Sequence, residues 1–292
     1  MKKIAISTLL LLCFLCHLSA QKSVVDIKQK LSFKQLKTSS VLYLENINGS
    51  IEVQGYEGTE IILVAQKTIK AKRQKNVDFG MEELQIKSEE RSDTLFVGMD
   101  IPCKDPQTGR IYRNGRLFGD WTNCFWDPKY DFQLDYKVKV PRQLNLVLST
   151  INRGDITVKQ VDGRLSVCNI NGEISLIDIK GATHVRAING DIELRYTQNP
   201  QQASQYFSHN GNIRAYFQDG LSATMLFKSY QGEFYTDIEE IEVKENKISE
   251  KRELEDDELF IRLEGKTEIK ARSGDVVLDF ETFNGDIYVR EN

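Results

Sequence analysis

Five carboxylates, Asp155, Glu173, Asp191, Asp275 and Asp286, each directly follow a glycine, and these are the residues most able to do chemistry together. Aligned along one edge of a regular structure they would form a ladder of oxygens suited to a hard cation such as calcium. With Arg and Lys gathered beside them in a cleft, they would suit cleavage of a polysaccharide. The plainer reading is that they are solvent-facing acids beside turns. The units also lack the Gly-Gly-x-Gly-x-Asp pattern of the nonapeptide calcium-binding roll, so no metal site is expected. Beyond residue 20 the histidines are His184 and His209, and neither has a metal spacing such as His-Glu-x-x-His. His184 adjoins Val185, an expected inward position, and should point outward, while His209 precedes the Asn210-Gly211 turn. There is no Gly-x-Ser-x-Gly elbow and no phosphate-binding glycine loop. The sequence therefore points to no catalytic residue, no cofactor and no enzyme.

The other chemistry on offer is recognition. Tyr112, Phe118, Trp121, Phe125, Trp126 and Tyr130 crowd one segment, about residues 102–131, that holds both tryptophans of the chain. Such rings suit sugars and protein anchors alike, because they bury much area at little entropic cost. The competing reading is that they fold over the core and shield it. Cys103 and Cys124 bracket the same segment, and an oxidising compartment would favour a disulfide between them. Cys168 is left over inside a β repeat, where a small buried hydrophobe is the ordinary reading and a reactive thiol the other.

These residues must be positioned by a repeat. Glycine recurs at Gly154, Gly163, Gly172, Gly181 and Gly190, at a constant interval of nine. The second, fourth and seventh positions after each glycine are mostly apolar, as in Ile156, Val158, Val161 and in Ile174, Leu176, Ile179. The second and fourth positions fit a strand with one buried face, and the seventh breaks that parity. A turn or bulge must therefore fall between the fourth and the seventh. Asn-Gly at 171–172 and 189–190 would also suit the hairpins of an antiparallel meander. The parity break favours corners instead, giving coils of roughly eighteen residues stacked at about 4.8 Å. Weaker copies begin at Asn48-Gly49 and continue at Asn210-Gly211, Gln231-Gly232, Ser273-Gly274 and Asn284-Gly285. The expected fold is all-β, a right-handed-type, parallel β-helix-like solenoid forming one domain over residues 21–292. Besides the disulfide-closed insertion, a second one at about 239–258, of mixed charge, reads as a solvated loop or short helix.

The N-terminus reads as a signal peptide over residues 1–20, with Lys2 and Lys3 before an apolar run and Leu18-Ser19-Ala20 at the cleavage site. A lipid anchor on Cys13 or Cys16 would follow a leucine where a small residue is usual. No later segment approaches the ~20 apolar residues of a transmembrane helix. Loss of the two lysines makes the formal charge of −4 two units more negative, and an acidic chain without a basic stripe is a poor partner for nucleic acid.

The passage Val41-Leu42-Tyr43-Leu44-Glu45-Asn46-Ile47-Asn48-Gly49-Ser50-Ile51-Glu52-Val53-Gln54-Gly55-Tyr56 resembles the opening of the adhesin-like family of bacterial β-solenoid domains. The stretch Tyr130-Asp131-Phe132-Gln133-Leu134-Asp135-Tyr136-Lys137-Val138-Lys139-Val140-Pro141 is similar to members from Bacteroidetes-like bacteria. The resemblance implies an exported, adhesin-like module whose ligand is undefined. Three functions follow as expectations. The first is a non-enzymatic binder of a protein or glycan at the cell envelope, in the periplasm or on the surface. The second is a periplasmic protein that pairs edge strands with an envelope partner, its final strand Ile287-Tyr288-Val289 being the candidate edge. The third is a polysaccharide-cleaving solenoid.

Overall fold

Period-two burial sorts most strands of the chain into two sheets that face one another across a single apolar core. The computed structural model describes residues 20–104, 111–113, 126–255 and 258–291, with side chains for all but 103–104, 111–113, 245–255 and 258–265. Among these residues the two large sheets have ten and eleven strands, and a two-stranded ribbon accompanies them.

In the middle of the molecule the chain passes back and forth between the sheets. Leu165–Asn171 lies in the eleven-stranded sheet, a corner at Gly172 leads to Ile174–Ile179 in the ten-stranded sheet, and a corner at Gly181 leads back to Thr183–Asn189. Each strand pairs in parallel with the strand one coil away. Ile156 stands on Ile174, and Ile174 on Ile192, so the repeat is eighteen residues. The step from Ile192 to Ile213 takes twenty-one, because the intervening corner is longer. The Asn-Gly pairs are thus corners of a coil and do not close hairpins.

What forces this register is the absence of room at the corners. A Cβ on Gly172 would lie 2.3 Å from the Gly154 carbonyl oxygen, one on Gly190 2.1 Å from that of Gly172, and one on Gly211 2.2 Å from that of Gly190. Backbone cannot move aside as a flexible side chain can, so glycine stacks on glycine. Beneath the column, buried side chains donate to its carbonyls: Thr150 to Gly49 at 2.9 Å, Asn169 to Gly154 at 3.0 Å, Ser208 to Gly190 at 3.0 Å and Thr282 to Gly211 at 3.2 Å. A buried carbonyl left without a donor is costly, which accounts for polar residues inside an otherwise apolar core.

The parity break divides the repeat into two kinds of strand. In the ten-stranded sheet Gln160 and Asp178 adopt φ of +57°, and these kinks return Val161 and Ile179 to the interior. In the eleven-stranded sheet alternation runs on unbroken, so Asn169 and Ala187 are buried and the seventh-position residues Ile170 and Ile188 point outward. Only the first kind follows the expected bulge.

Three features depart from the sequence reading. The coil Val276–Asn284 and Ile287–Glu291 lies between the coil of Ser204–Asn210 and Ile213–Phe217 and the coil of Ala223–Gln231 and Phe234–Thr236. Ile287–Glu291 is therefore paired on both sides and offers no edge for strand addition. In the segment around 239–258, residues 241–255 form a strand where a loop or short helix was expected. Ile241–Glu255 pairs antiparallel with Glu258–Ala271, and the latter pairs with Ala223–Gln231. Antiparallel strands also close the opposite end, where Gln21–Leu31 lies on Ile61–Ala71, and that strand on Asp131–Pro141.

The helix Gln74–Glu83 was not foreshadowed by the repeat. At ten residues it is too short to persist alone. It is held by burial of Val77 and Gly80 and by Lys67, whose ammonium donates to the carbonyls of Met81 at 2.7 Å and Leu84 at 2.9 Å. These are carbonyls that the helix end leaves unpaired. Burial holds the Lys67 pKa below its ordinary value.

A Gly190→Ala substitution isolates the corner collision, since Gly190 is not among the glycines with left-handed φ. It is expected to cost about 1–3 kcal/mol, the range for overpacking. Lys159→Ala, on an exposed strand position, should stay within about 0.5 kcal/mol. Urea unfolding midpoints of the two variants check the difference.

Candidate functional site

Most of the carboxylates after the corner glycines do form a column, and one oxygen of three of them is engaged by the backbone. Asp155 Oδ1 accepts from the Glu173 N–H at 2.8 Å, Asp191 Oδ1 from Asn212 N–H at 2.8 Å, and Asp286 Oδ1 from Glu233 N–H at 2.9 Å. Between them Asn212 does the same work with an amide, accepting from the Asp286 N–H at 2.8 Å. An amide in the series shows that the position can accept without a charge. Asp275 stands apart, in a different corner, where its carboxylate accepts from Ser273 Oγ at 2.8 Å. Hydrogen bonds from Ser273 and Ser222 hold its pKa below the ordinary value.

Beside the acid column runs a second one, of asparagines. Asn171 donates to Asn152 Oδ1 at 2.9 Å, Asn189 to Asn171 at 2.9 Å, Asn210 to Asn189 at 2.8 Å and Asn284 to Asn210 at 2.8 Å. The Asn-Gly-Asp corners thus build a polar ridge of regularly spaced amides and carboxylates along one side of the stack.

Aromatic columns flank the ridge at its far end. On the eleven-stranded side, His209 stacks on Phe283 with centroids 5.0 Å apart, and Tyr230 lies 4.9 Å from the same ring. Tyr230 is 59% exposed. On the ten-stranded side, the third residue after each corner glycine gives Glu193, Arg214, Tyr288 and Tyr235 in successive places of the sheet. Tyr235 and Tyr288 stack at 4.9 Å with planes 8° apart, and the Arg214 guanidinium lies 5.7 Å from the Tyr288 ring. One column over, Arg195 sits 4.2 Å from the Tyr216 ring. Cation–π contacts of this kind fix long side chains that would otherwise sample many rotamers.

Carboxylates orient these groups. Asp191 Oδ2 accepts from Arg214 at 2.6 Å, Tyr288 donates to Asp286 at 3.0 Å and Tyr235 to Glu233 at 2.7 Å. The bond to Glu233 pushes the Tyr235 phenol up to about 12, and that to Asp286 raises Tyr288. Both hydroxyls therefore stay protonated at neutral pH and point at acceptors on the ridge.

Of the aromatics singled out in the sequence, Phe118, Trp121 and Phe125 lie outside the described residues, as does Cys124. Tyr112 and Cys103 face one another in the ribbon of Pro102–Lys104 and Ile111–Arg113, with their side chains outside the description. Trp126 packs on Phe132 at 5.3 Å and on Tyr130 at 6.3 Å, and Tyr130 is buried with its hydroxyl on Glu83 Oε2 at 2.7 Å. These two rings cover the helix end of the core. His184 is exposed and His209 half-buried in the aromatic column. Cys168 is a free, half-buried thiol on the outer face of the eleven-stranded sheet, its pKa raised by burial against the opposing effect of Arg186. Sequence reasoning missed Arg214, Tyr216, Tyr235, Tyr288, Tyr230 and Phe283. Aligning the units on their Asn-Gly corners would have placed most of them in shared outward columns.

No protein-family model and no curated protein matches the chain. Among solved structures it is similar to a candidate cell adhesion protein from Clostridium sporogenes, at 10% identity and TM-score 0.40 over 94% of this chain and 100% of that one. It is also similar to a candidate adhesin from Bacteroides fragilis, at 11% identity and TM-score 0.33 over 91% and 97% of the two chains. A candidate lipid-binding protein from Parabacteroides distasonis is matched at 12% identity and TM-score 0.26 over 90% and 96%. Likeness of this degree assigns the chain to no family.

Asp191→Ala should destabilise the protein by about 1 kcal/mol through its lost backbone acceptor. Asp191→Asn, which keeps an acceptor as Asn212 does, should cost less, and calcium chloride should leave the thermal midpoint unchanged. Differential scanning calorimetry measures all three, and a calcium-dependent rise would restore the metal reading.

Proposed function

We propose that the chain is an exported, non-enzymatic, adhesin-like binding module of the cell envelope, in the periplasm or at the cell surface, and that it holds a protein or glycan along the Asn-Gly ridge. In this reading the two-sheet stack is a right-handed-type β-solenoid whose regular surface is the functional part. The observation that carries the proposal is the stacked Tyr288–Tyr235 pair, ordered by Arg214 and by the carboxylates of Asp286 and Glu233. Tyr and Arg dominate binding hot spots because they offer large area and polar tips together. Here they are fixed before any ligand arrives, which lowers the entropic cost of binding. Side by side with them, the amides and carboxylates of the ridge offer donors and acceptors at the spacing of a β-ladder, suited to sugar hydroxyls or an extended peptide.

Residues 21–292, presented to panels of envelope glycans and envelope proteins by biolayer interferometry, should bind a ligand saturably and release it chemically unchanged. The double variant Tyr235→Ala, Tyr288→Ala should weaken that binding at least about tenfold, the loss expected of one hot spot, while keeping the thermal midpoint. A ligand recovered cleaved, or an affinity untouched by the double variant, would sink the proposal.

A further inference from the structure

At the end of the stack beyond the inserted coil the two sheets stop at different heights. The ten-stranded sheet ends at Phe234–Thr236, whereas the eleven-stranded sheet continues by two strands, Glu258–Ala271 and Ile241–Glu255. Among the described residues both final strands are paired on one side only. The overhang carries core-type residues on its inner face. Ile269 is in register with Met225, a core residue, and with Val243, so Val243 points to the core side of the sheet. Val243 is nevertheless 63% exposed and Ile241 is 36% exposed. At the foot of the step a cleft of about 200 Å³ is lined by Phe227, Phe234, Ile269 and Ile287 together with Ser229 and Glu233. The step thus has a floor of mixed apolar and polar groups, a free backbone edge and a missing wall.

We propose that the missing wall is the overhang of a second copy of this chain, joined across a two-fold axis. One sheet lacks two strands where the other has two too many, so a copy turned over end to end places its overhang in the vacant layer. The same operation seats the first overhang in the copy, as an isologous interface requires. Each free edge then meets a strand, and Ile241 and Val243 of both copies become core. The size is adequate. Strands of 15 and 14 residues give an overhang about 45 Å long and about 10 Å wide at ordinary strand spacing. Pressing two such faces together hides on the order of 1,000 Å², the lower bound for a specific but reversible dimer. This inference does not rest on the ligand proposal, although Tyr235 and Glu233 border the same step.

The test is sedimentation equilibrium of residues 21–292 from about 1 to 200 µM, spanning the range of a small reversible interface, in a Cys168→Ser background that excludes thiol-linked dimers. The expected result is a concentration-dependent monomer–dimer equilibrium. Val243→Glu should weaken it at least tenfold without lowering the thermal midpoint, since the side chain is exposed in the monomer. Val277→Glu, on the opposite face of the same sheet, should leave it unchanged. A monomer at every concentration, a monomer held by some other protein, or a dimer that Val243→Glu leaves intact would each overturn the proposal.

Discussion

Each coil of this protein sits directly on the one before it, at a spacing too small for any Cβ at the corner. That contact of glycine on the glycine carbonyl beneath is the constraint from which the remaining structure follows. It fixes the register, so that every position in a coil stacks on its equivalent and residues of one kind gather into columns. Inside, the result is a column of Thr, Asn and Ser that satisfies the corner carbonyls, interrupted by Ala187. At the surface, the same rule makes columns of amides, carboxylates and rings. A substitution in such an array is felt by two neighbours, one above and one below, which is why the columns are stabilising only when their members agree.

The core adds a second layer of specificity. Tyr196 and Tyr206 are fully buried, and their hydroxyls meet at 2.9 Å, with Thr183 bonded to Tyr196. Burial raises both phenol pKa values, so the network remains neutral. Tyr196 stacks on Phe217 and Tyr206 on Phe280, tying three successive coils together. A satisfied polar network of this kind ties the longer twenty-one-residue step to its neighbours, where the simple eighteen-residue rule lapses. It is beyond this step, at the far end of the stack, that the aromatic columns flank the ridge.

Much of the fold was legible because the corner constraint is written in glycine. The nine-residue interval followed from Gly154 to Gly190, and the choice of corners over Asn-Gly hairpins, with the eighteen-residue coil, followed from the broken parity at the seventh position. The kinks at Gln160 and Asp178 were legible only as a broken parity, since neither residue type announces a left-handed φ. Coil order was not legible at all. Val276–Glu291 carries the same pattern as its neighbours, and a repeat says which units can stack without saying which unit takes which place. The helix depends on Lys67, distant in sequence from the carbonyls it caps, and the long hairpin around 239–258 has a charge pattern that suits a strand exposed on both faces as well as a loop. The functional reading suffered accordingly. Sequence drew the eye to the tryptophan-bearing insertion, whereas Tyr288 adjoins Arg214 only because one coil is inserted out of order.

The position of that coil is thus the central claim, and a pair of engineered disulfides tests it most directly. Phe207 and Glu281 are in register on adjacent strands, and Glu281 separates Phe207 from Lys228. In a Cys168→Ser background, Phe207→Cys with Glu281→Cys should close a disulfide on mild oxidation, because parallel neighbours lie within bridging distance. Phe207→Cys with Lys228→Cys should stay reduced. The reverse outcome, a bridge from 207 to 228 and none to 281, would mean that the coils stack in chain order, and it would put Tyr235 in place of Tyr288 beside Arg214.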